Sequence, residues 1–494
     1  LMPSSSNKKT PVLTAIVDSD SLVYMMRQIH SGVFLSNSSF NMRITPYVAQ
    51  TRTRQRVVND STLRQRRTPR EIDSTLVLSG TSSSLLSKLE VSGKVGFKKL
   101  RLWSPYFPLR IEMLGSNLQF TSNDITLSGA RLNLGKSDFT LNGKITNIRR
   151  ALLRGGRLTA ELATVSDYVD CNELIDAITK GMVYSEKEDA QNQNLDVNDI
   201  DDLEKITQLV SETDTVSGLF VLPSYLNLTL NTKNKEVVYQ HLNLKNTNGQ
   251  IELRNQSVQL TNFYSQSNIG SGGISMFYTA RTAKEASLGI DIDMKGIMVD
   301  KFIDLAPSID TLLPMLKSFE GILDCQMVAT CSLDSTSSVV LPSLQAACYL
   351  RGKDLVLLDG ETFTEISKKL MFKNKKRNII DSIAVDLTVN QSDVEIYPFL
   401  VEIDRYRLAV GGTHNFDMSF NYHISVLKSP VPFKLGVDIN GNIDDFKFKI
   451  VKCKYKEMFK SAKTGTIDTT RLNVRREIYH VIQNRIKNNL NNNY

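Results

Sequence analysis

Few of the residues that hold disulfides or metal ions occur in this chain. Its 494 residues include five cysteines and five histidines, and no Cys-x-x-Cys pair. A disulfide scaffold concentrates many cysteines in a short chain, and a zinc site needs ligands at close, regular spacing. The spacing therefore predicts neither, and thiols that act as small apolar side chains are the favoured interpretation.

The signatures of common enzymes are also missing. The sequence contains no G-x-x-x-x-G-K-[ST], G-x-S-x-G, H-E-x-x-H or EF-hand loop. The glycines at 270–273 lie between alternating segments, which favours a hairpin or bulge over a phosphate cradle. Asp291 and Asp293 alternate with apolar residues, as on the polar side of a strand, and His414 and His423 are interpreted as cross-strand surface histidines. We therefore predict a protein that is not an enzyme and needs no cofactor or metal.

Long apolar runs are absent as well. No stretch approaches the ~18 consecutive apolar residues that a transmembrane helix needs. The start of the chain shows no basic segment followed by an apolar core and a small-residue cleavage site, the pattern of a secretory signal. We expect the sequence to begin within a longer protein.

The net charge of +8 conceals an uneven distribution. Residues 1–110 carry a net charge of +11 and residues 447–494 a net charge of +9, so the body between them is acidic. The segment 51–70 holds seven arginines but no aromatic residues that could stack on bases, and no nucleic-acid-binding motif accompanies it. A solvated loop or a patch near anionic lipid headgroups is the favoured interpretation, and we predict no nucleic-acid partner.

A period of two dominates the chain from residue 74 onward, as in half-buried strands. Ser, Asn, Asp and Gly separate the alternating runs, and such short connections allow only antiparallel neighbours. The pattern recurs after residue 218 and again from 383 to 448. It predicts a mainly β fold, an extended and curved antiparallel sheet of groove or sandwich type with a few short helices at its junctions.

Four segments have helical spacing instead: 168–182, 299–319, 362–372 and the amphipathic 473–490. The last aligns Val474, Ile478, Val481, Ile482 and Ile486. We divide the chain into a basic and partly disordered segment 1–73, a first β block 74–184, an acidic linker 185–205, a second β block 206–455 and a basic tail 456–494 that carries this helix.

So many alternating strands with so few covering helices leave an apolar face to bury. One solution is a trough whose apolar side binds lipid acyl chains while a polar headgroup stays at the rim. The other is a closed sandwich filled by its own side chains, with edges that bind a protein partner by strand addition. The candidate lipid contacts are alternating residues: Leu118, Phe120, Leu132, Leu134, Leu226, Leu228, Leu230, Ile290 and Ile292.

The third block carries a family resemblance. A Gly-x-x-L strand leads into a short helix, then into strands that contain Ile380 and Asp381 and the run 396–399. A hairpin "LAVGGTHNFDMSFNYHISV" and an ending with Pro430, Pro432, Phe433, Gly441 and Asp444 follow. This order resembles the C-terminal region of AsmA-like proteins of Gram-negative bacteria, over about residues 74–455 and most strongly from 218 on.

The resemblance implies a periplasmic protein of the cell envelope, anchored in the inner membrane by an N-terminal helix that this sequence lacks. It implies a part in phospholipid transport or outer-membrane assembly, with membrane lipids and envelope proteins as partners. The arginine-rich and acidic insertions depart from the family pattern.

Overall fold

The computed structural model describes most of the alternating regions of the chain. It covers residues 11–26, 30–47, 76–78, 80–191, 200–212, 218–299, 301, 319–358, 377–403, 405–417, 419–430, 435–442, 445–459 and 469–491. The expected helices at 299–319 and 362–372 lie largely outside these ranges, as does the arginine-rich segment 51–70.

In the described part of the chain twenty strands form a single sheet that is not closed, which confirms the predicted mainly β class. The registered ladders join strands that are consecutive in sequence, and all are antiparallel, as in a meander. The strands are β1 Leu13–Met26, β2 Ser31–Pro46, β3 Leu89–Trp103, β4 Ile111–Thr121, β5 Ile125–Leu134, β6 Ser137–Thr146, β7 Leu158–Asp170, β8 Leu226–Tyr239, β9 Leu242–Arg254, β10 Ser257–Ser267, β11 Gly270–Thr279, β12 Glu285–Met298, β13 Phe319–Asp334, β14 Gln345–Leu358, β15 Arg377–Asn390, β16 Asp393–Ile403, β17 Tyr406–Asn415, β18 Phe420–Lys428, β19 Gly436–Gly441 and β20 Phe446–Val451.

Tight turns explain why neighbours in sequence become neighbours in the sheet. Gly135 joins β5 to β6 at φ 56°, and Gln391 joins β15 to β16 at φ 63°. Two-residue hairpin turns need this left-handed backbone, which Gly adopts without steric cost. The glycine-rich segment 270–273 opens β11, in agreement with the hairpin interpretation.

Within the described ranges five α-helices accompany the strands: α1 Gly80–Lys88, α2 Ile148–Arg154, α3 Cys171–Gln191, α4 Ile200–Ser211 and α5 Thr469–Asn491. The acidic linker predicted at 185–205 is therefore wrong in part, since α3 runs into it and α4 begins within it. The first turn of α4 holds Asp201 and Asp202, where the helix dipole favours negative charge. Leu203 and Val210 then bury the apolar side of the same helix. Acidic composition thus marked a helix start rather than a linker.

The N-terminal segment 1–73 also contains structure that its composition did not predict. Strands β1 and β2 form a registered hairpin from Leu13↔Ile44 to Met26↔Ser31. Serines, aspartates and asparagines interrupt the apolar alternation there, so the period of two is weak in the sequence. Pairing with β3 supplies the apolar neighbours that the local pattern does not reveal.

The chain divides into two compact units. The first unit contains residues 1–216, 222–235 and 251–256, and the second contains 217–221, 236–250 and 257–494. The first unit holds a small buried cluster around Leu127, Ala130 and Leu141. The second holds a much larger one, which extends from Ile297 on β12 to Ile439 on β19.

Helix α5 covers one face of the second unit. Ile482 and Ile486 pack there against Phe277, Val328 and Ala347. A polar contact also joins the helix to β12, since Gln483 Nε2 donates a hydrogen bond to Asp291 Oδ2 at 2.9 Å.

The amphipathic C-terminal helix is confirmed, but its predicted stripe needs one correction, because Val481 is 49% exposed. One turn holds 3.6 residues, so positions 478, 482 and 486 share a side of the helix and position 481 lies off it.

Two of the five thiols confirm the interpretation as small apolar side chains. Cys325 and Cys348 are buried on adjacent strands of the second unit, with their sulfur atoms 3.8 Å apart. The hydrogen bond with Cys325 raises the pKa of the Cys348 thiol, and burial raises it further. The Cys348 thiol is therefore neutral at physiological pH.

Candidate functional site: an amphipathic sheet

The first unit presents one continuous apolar face. Register places its side chains in rows that cross the strands. The first row runs across β1–β7 and contains Ala15, Met42, Gly93, Phe120, Ile125, Ile145 and Ala160. The second row runs across β1–β6 and contains Leu22, Leu35, Leu100, Met113, Leu132 and Phe139. The third row runs across β1–β5 and contains Tyr24, Val33, Leu102, Ile111 and Leu134.

The rows share a face, because Met113, Ile125, Leu132 and Phe139 pack in the same cluster. Ile125 and Leu132 are seven residues apart on β5, and an irregularity of the register between Leu127 and Ala130 brings both to this face. A flanking row on the other face is polar from β2 onward: Ile16, Asn41, Lys94, Gln119, Thr126, Lys144 and Glu161. Successive side chains of a strand point to opposite faces, so each alternating run contributes apolar residues to one face and polar residues to the other. The sheet is amphipathic over seven strands.

Four of the predicted lipid contacts are brought together on this apolar face. Phe120 belongs to the first row, Leu132 to the second and Leu134 to the third. Leu118 packs in the cluster that contains Leu132. All four are half-buried. Leu226, Leu228 and Leu230 are half-buried too, at alternate positions of β8.

The remaining two predicted contacts lie in the second unit. Ile290 belongs to a row of eleven side chains across β10–β20, namely Leu260, Met276, Ile290, Ala329, Ala346, Val389, Val394, His414, Phe420, Gly441 and Phe446. Ile292 belongs to the next row, with Met327, Cys348, Leu387, Ile396 and Ile439 among its members. Asp291 and Asp293 occupy the alternate positions, which confirms their place on the polar side of the strand.

The two units differ in how far their apolar residues are covered. In the second unit Val394 and Ile396 are 0% and 3% exposed, because neighbouring side chains of the same face enclose them. In the first unit most row members stay half-buried, and Leu13, Val17 and Tyr24 of β1 are exposed by 42% to 60%. More apolar surface is therefore exposed to water on the first unit. An apolar molecule bound there would shield this surface from water, which is energetically favourable.

Sequence reasoning missed an Asp–His–Ser arrangement on β18 and β19. His423 Nδ1 lies 2.5 Å from Asp438 Oδ1, and His423 Nε2 lies 2.8 Å from Ser425 Oγ. The backbone N–H of Lys454 donates to Nε2 at 3.2 Å, so the ring proton sits on Nδ1 and is donated to Asp438. His423 and Asp438 are direct cross-strand partners, a relation that fourteen intervening residues hide in the sequence.

The arrangement resembles a catalytic triad in geometry but not in access. Ser425 is 0% and His423 3% exposed, and the backbone N–H of Tyr455 donates to Ser425 Oγ at 3.0 Å. A nucleophile must reach its substrate, and residues 454 and 455 cover this one. The hydrogen bonds of this group hold residues 454 and 455 against the sheet. We call Asp438, His423 and Ser425 the latch. The prediction of surface histidines is wrong for His423 and also for His414, which is buried beside Tyr422 Oη at 2.8 Å.

Burial lowers the pKa of His423, and the Lys454 charge lowers it further, against the opposing effect of Asp438. Burial alone would raise the pKa of Asp438, but hydrogen bonds from Lys454 and His423 lower it overall. The lowered pKa values of both groups therefore favour a neutral His423 imidazole beside a charged Asp438 carboxylate.

We expect the latch to make stability depend on pH below 6.5. The unfolded chain takes up a proton on His423 near pH 6.5, whereas the folded chain resists protonation, so the free energy of unfolding falls as the pH falls. The loss is about 1.4 kcal/mol for every pH unit between the two pKa values. Thermal unfolding between pH 7.5 and 5.5 checks this. His423→Gln should flatten the curve, whereas the exposed His480→Gln should leave it unchanged; an equal slope in all three proteins would contradict the latch.

The fold and the face together define a class: an open antiparallel meander with one apolar and one polar side. Comparison with protein family models, curated proteins and solved structures found no match. Within the described ranges no helix combines the length and apolarity needed to cross a bilayer. The same part of the chain holds no cluster of His, Cys, Asp and Glu side chains suited to a metal ion.

Proposed function

We propose that the chain is a non-enzymatic lipid-binding protein whose first unit takes up phospholipid acyl chains on its apolar face. The observation that carries the proposal is the set of three apolar rows, half-buried and continuous across five to seven strands. The resemblance to AsmA-like proteins supports a membrane-associated role in the periplasm, in lipid transport or outer-membrane assembly.

The energetics favour such capture without a dedicated polar contact. Each buried methylene group contributes about 0.8 kcal/mol, so an acyl chain gains from any apolar path of sufficient length. Strands in a sheet lie about 4.8 Å apart, and a row that crosses seven strands spans roughly 29 Å. The hydrocarbon core of a bilayer is about 30 Å thick and is shared by two leaflets, so a row of this length is longer than the extended acyl chains of one phospholipid and can hold them completely.

The test is retention and transfer of lipid by the purified chain. We expect phospholipid to co-purify above the level of a β-rich control protein, as measured by extraction and mass spectrometry. We also expect the chain to accelerate transfer of a fluorescent phospholipid between vesicles. Absence of both would overturn the proposal.

A second function, a scaffold that binds a partner by strand addition, is favoured by the edge strand β1. Its fourteen residues pair with β2 and contain no Lys or Arg, while Ile16 and Val23 are 66% and 49% exposed. An edge of this kind is a template for another strand. By contrast, β20, the last strand in sequence, carries the exposed Lys447 and Lys449, which discourage such pairing.

Cross-linking separates this function from lipid binding. A photoreactive residue at Val23 should capture one defined protein in the envelope fraction, and Ile16→Lys should abolish the adduct. Equal capture from the matched position Ile450, which is 68% exposed on β20, would contradict the scaffold.

A further inference from the structure

Three cations converge on one carboxylate at the β3–β4 end of the first unit. Glu112 Oε1 lies 2.7 Å from Lys99 Nζ, 2.8 Å from Arg101 Nε and 2.7 Å from Arg110 Nη2. We call these four residues the Glu112 cluster. Register explains the meeting of two of them, since Arg101 and Glu112 are cross-strand partners, and Arg110 precedes β4 by one residue.

The cluster carries excess positive charge. Burial would raise the pKa of Glu112, but hydrogen bonds from Lys99, Arg110 and Arg101 outweigh it and lower the pKa to about 2. Glu112 is therefore ionised and neutralises one of the three cations. The arginines keep free guanidinium donors, and the Arg101 and Arg110 side chains are 41% and 67% exposed. Guanidinium groups match the geometry of phosphate oxygens in a bidentate fashion.

A cavity of about 320 Å³ adjoins these cations. Its lining includes Arg101 and Arg110 together with Leu102 and Ile111. Arg101 and Leu102 are successive residues of β3, so their side chains point to opposite faces of the sheet, and Leu102 and Ile111 belong to the third row of the apolar face. Residues of α4, among them Glu204, complete the lining. The three cations and one carboxylate of the Glu112 cluster, together with Glu204, give a net charge of about +1 around the cavity. The volume is at the lower end for small-molecule sites.

We propose that this cavity binds a phosphate group at Arg101 and Arg110, and that the group belongs to the headgroup of an anionic phospholipid whose acyl chains enter the apolar face. The proposal rests on the proposed function for the acyl chains, while phosphate recognition is separate from it. The cavity lies where β3 ends and β4 begins, so a lipid whose phosphate is held by Arg101 on the polar face reaches the apolar face around the ends of these two strands. Free phosphate has the same chemistry and is distinguished by experiment.

The experiment uses the full chain and two kinds of vesicle, phosphatidylcholine alone and phosphatidylcholine with phosphatidic acid. We expect the wild-type protein to bind the anionic vesicles at least tenfold more tightly, and Arg101→Gln with Arg110→Gln to reduce this preference to less than threefold. Arg131→Gln, an exposed arginine on β5, is the matched control and should keep the preference. Arg110→Lys retains the charge but loses the fork and should keep part of it. Thermal unfolding verifies that each variant is folded.

The outcomes separate the two proposals. Equal binding of both vesicles by the wild-type protein, or an unchanged preference in the double variant, overturns the phosphate site and leaves acyl capture standing. A separate calorimetric titration with inorganic phosphate identifies the source. Binding of phosphate that the double variant loses, without any anionic lipid preference, overturns the headgroup assignment. Failure to take up either phospholipid overturns the proposed function, whatever the phosphate titration gives.

Discussion

Replacing Phe120 by aspartate is expected to reduce phospholipid retention at least tenfold. Phe120 lies in the first row of the apolar face, directly opposite Ile125 on β5 and Gly93 on β3. An acyl chain on this row would strip water from the new carboxylate, and burying an unpaired charge costs several kcal/mol. Lipid extraction and mass spectrometry of the purified variant provide the measurement, and vesicle transfer should fall in parallel.

The matched control is the neighbouring residue on the other face. Gln119 pairs with Thr126 and Lys94 on the polar row, and it is exposed. Gln119→Asp introduces the same charge on the same strand and should leave retention unchanged. Equal losses in the two variants would indicate disruption of β4 rather than of a lipid face. Unchanged retention in a folded Phe120→Asp protein would contradict acyl binding on the first unit.

Truncation of Ile486 to alanine is expected to lower the free energy of unfolding of the second unit by about 2–5 kcal/mol. Its side chain is 0% exposed and packs with Phe277, Val328 and Ala347 beneath α5. Val328 and Ala347 are apolar residues on the side of the sheet that carries Asp291, and they lie between Asp291 and Thr388 in the same register row. Loss of the helix would expose them to water. Chemical denaturation followed by circular dichroism provides the measurement.

Val481→Ala is the natural control, because it removes a branched side chain from the same helix at a position that is 49% exposed. Its expected effect is within about 0.5 kcal/mol. Alanine has a higher helix propensity than valine or isoleucine, so propensity cannot cause a loss at either position. Similar losses for Val481→Ala and Ile486→Ala would therefore contradict burial against the sheet as the reason for the effect of Ile486.

Periodicity was sufficient to predict the strands but not their partners. The alternation in "SNLQFTS" and "ARLNLGK" assigns Phe120 and Leu132 to the apolar side of their strands, and short turns imply antiparallel neighbours. The same reasoning failed for β1 and β2, where polar residues interrupt the period, and for α4, where acidic residues suggested a linker. In both cases neighbouring elements supply the burial that local composition does not show.

The two polar groupings illustrate what remains hidden in a sequence. His423 and Asp438 meet because β18 and β19 pair in one particular register, and Lys454 joins them from outside the strands. Glu112 meets Lys99 and Arg101 because β3 folds back on β4. No spacing rule predicts either meeting, since a one-residue change of register would turn each side chain to the other face.

The sequence by itself determined that this chain forms antiparallel strands with one apolar and one polar side, because the period of two is a local property of the backbone. Tertiary structure alone decided how well each apolar side is covered. In the second unit, residues from many strands enclose Val394 and its neighbours, whereas the rows of the first unit remain half-buried. Coverage depends on contacts between strands far apart in sequence, and alternation carries no information about them.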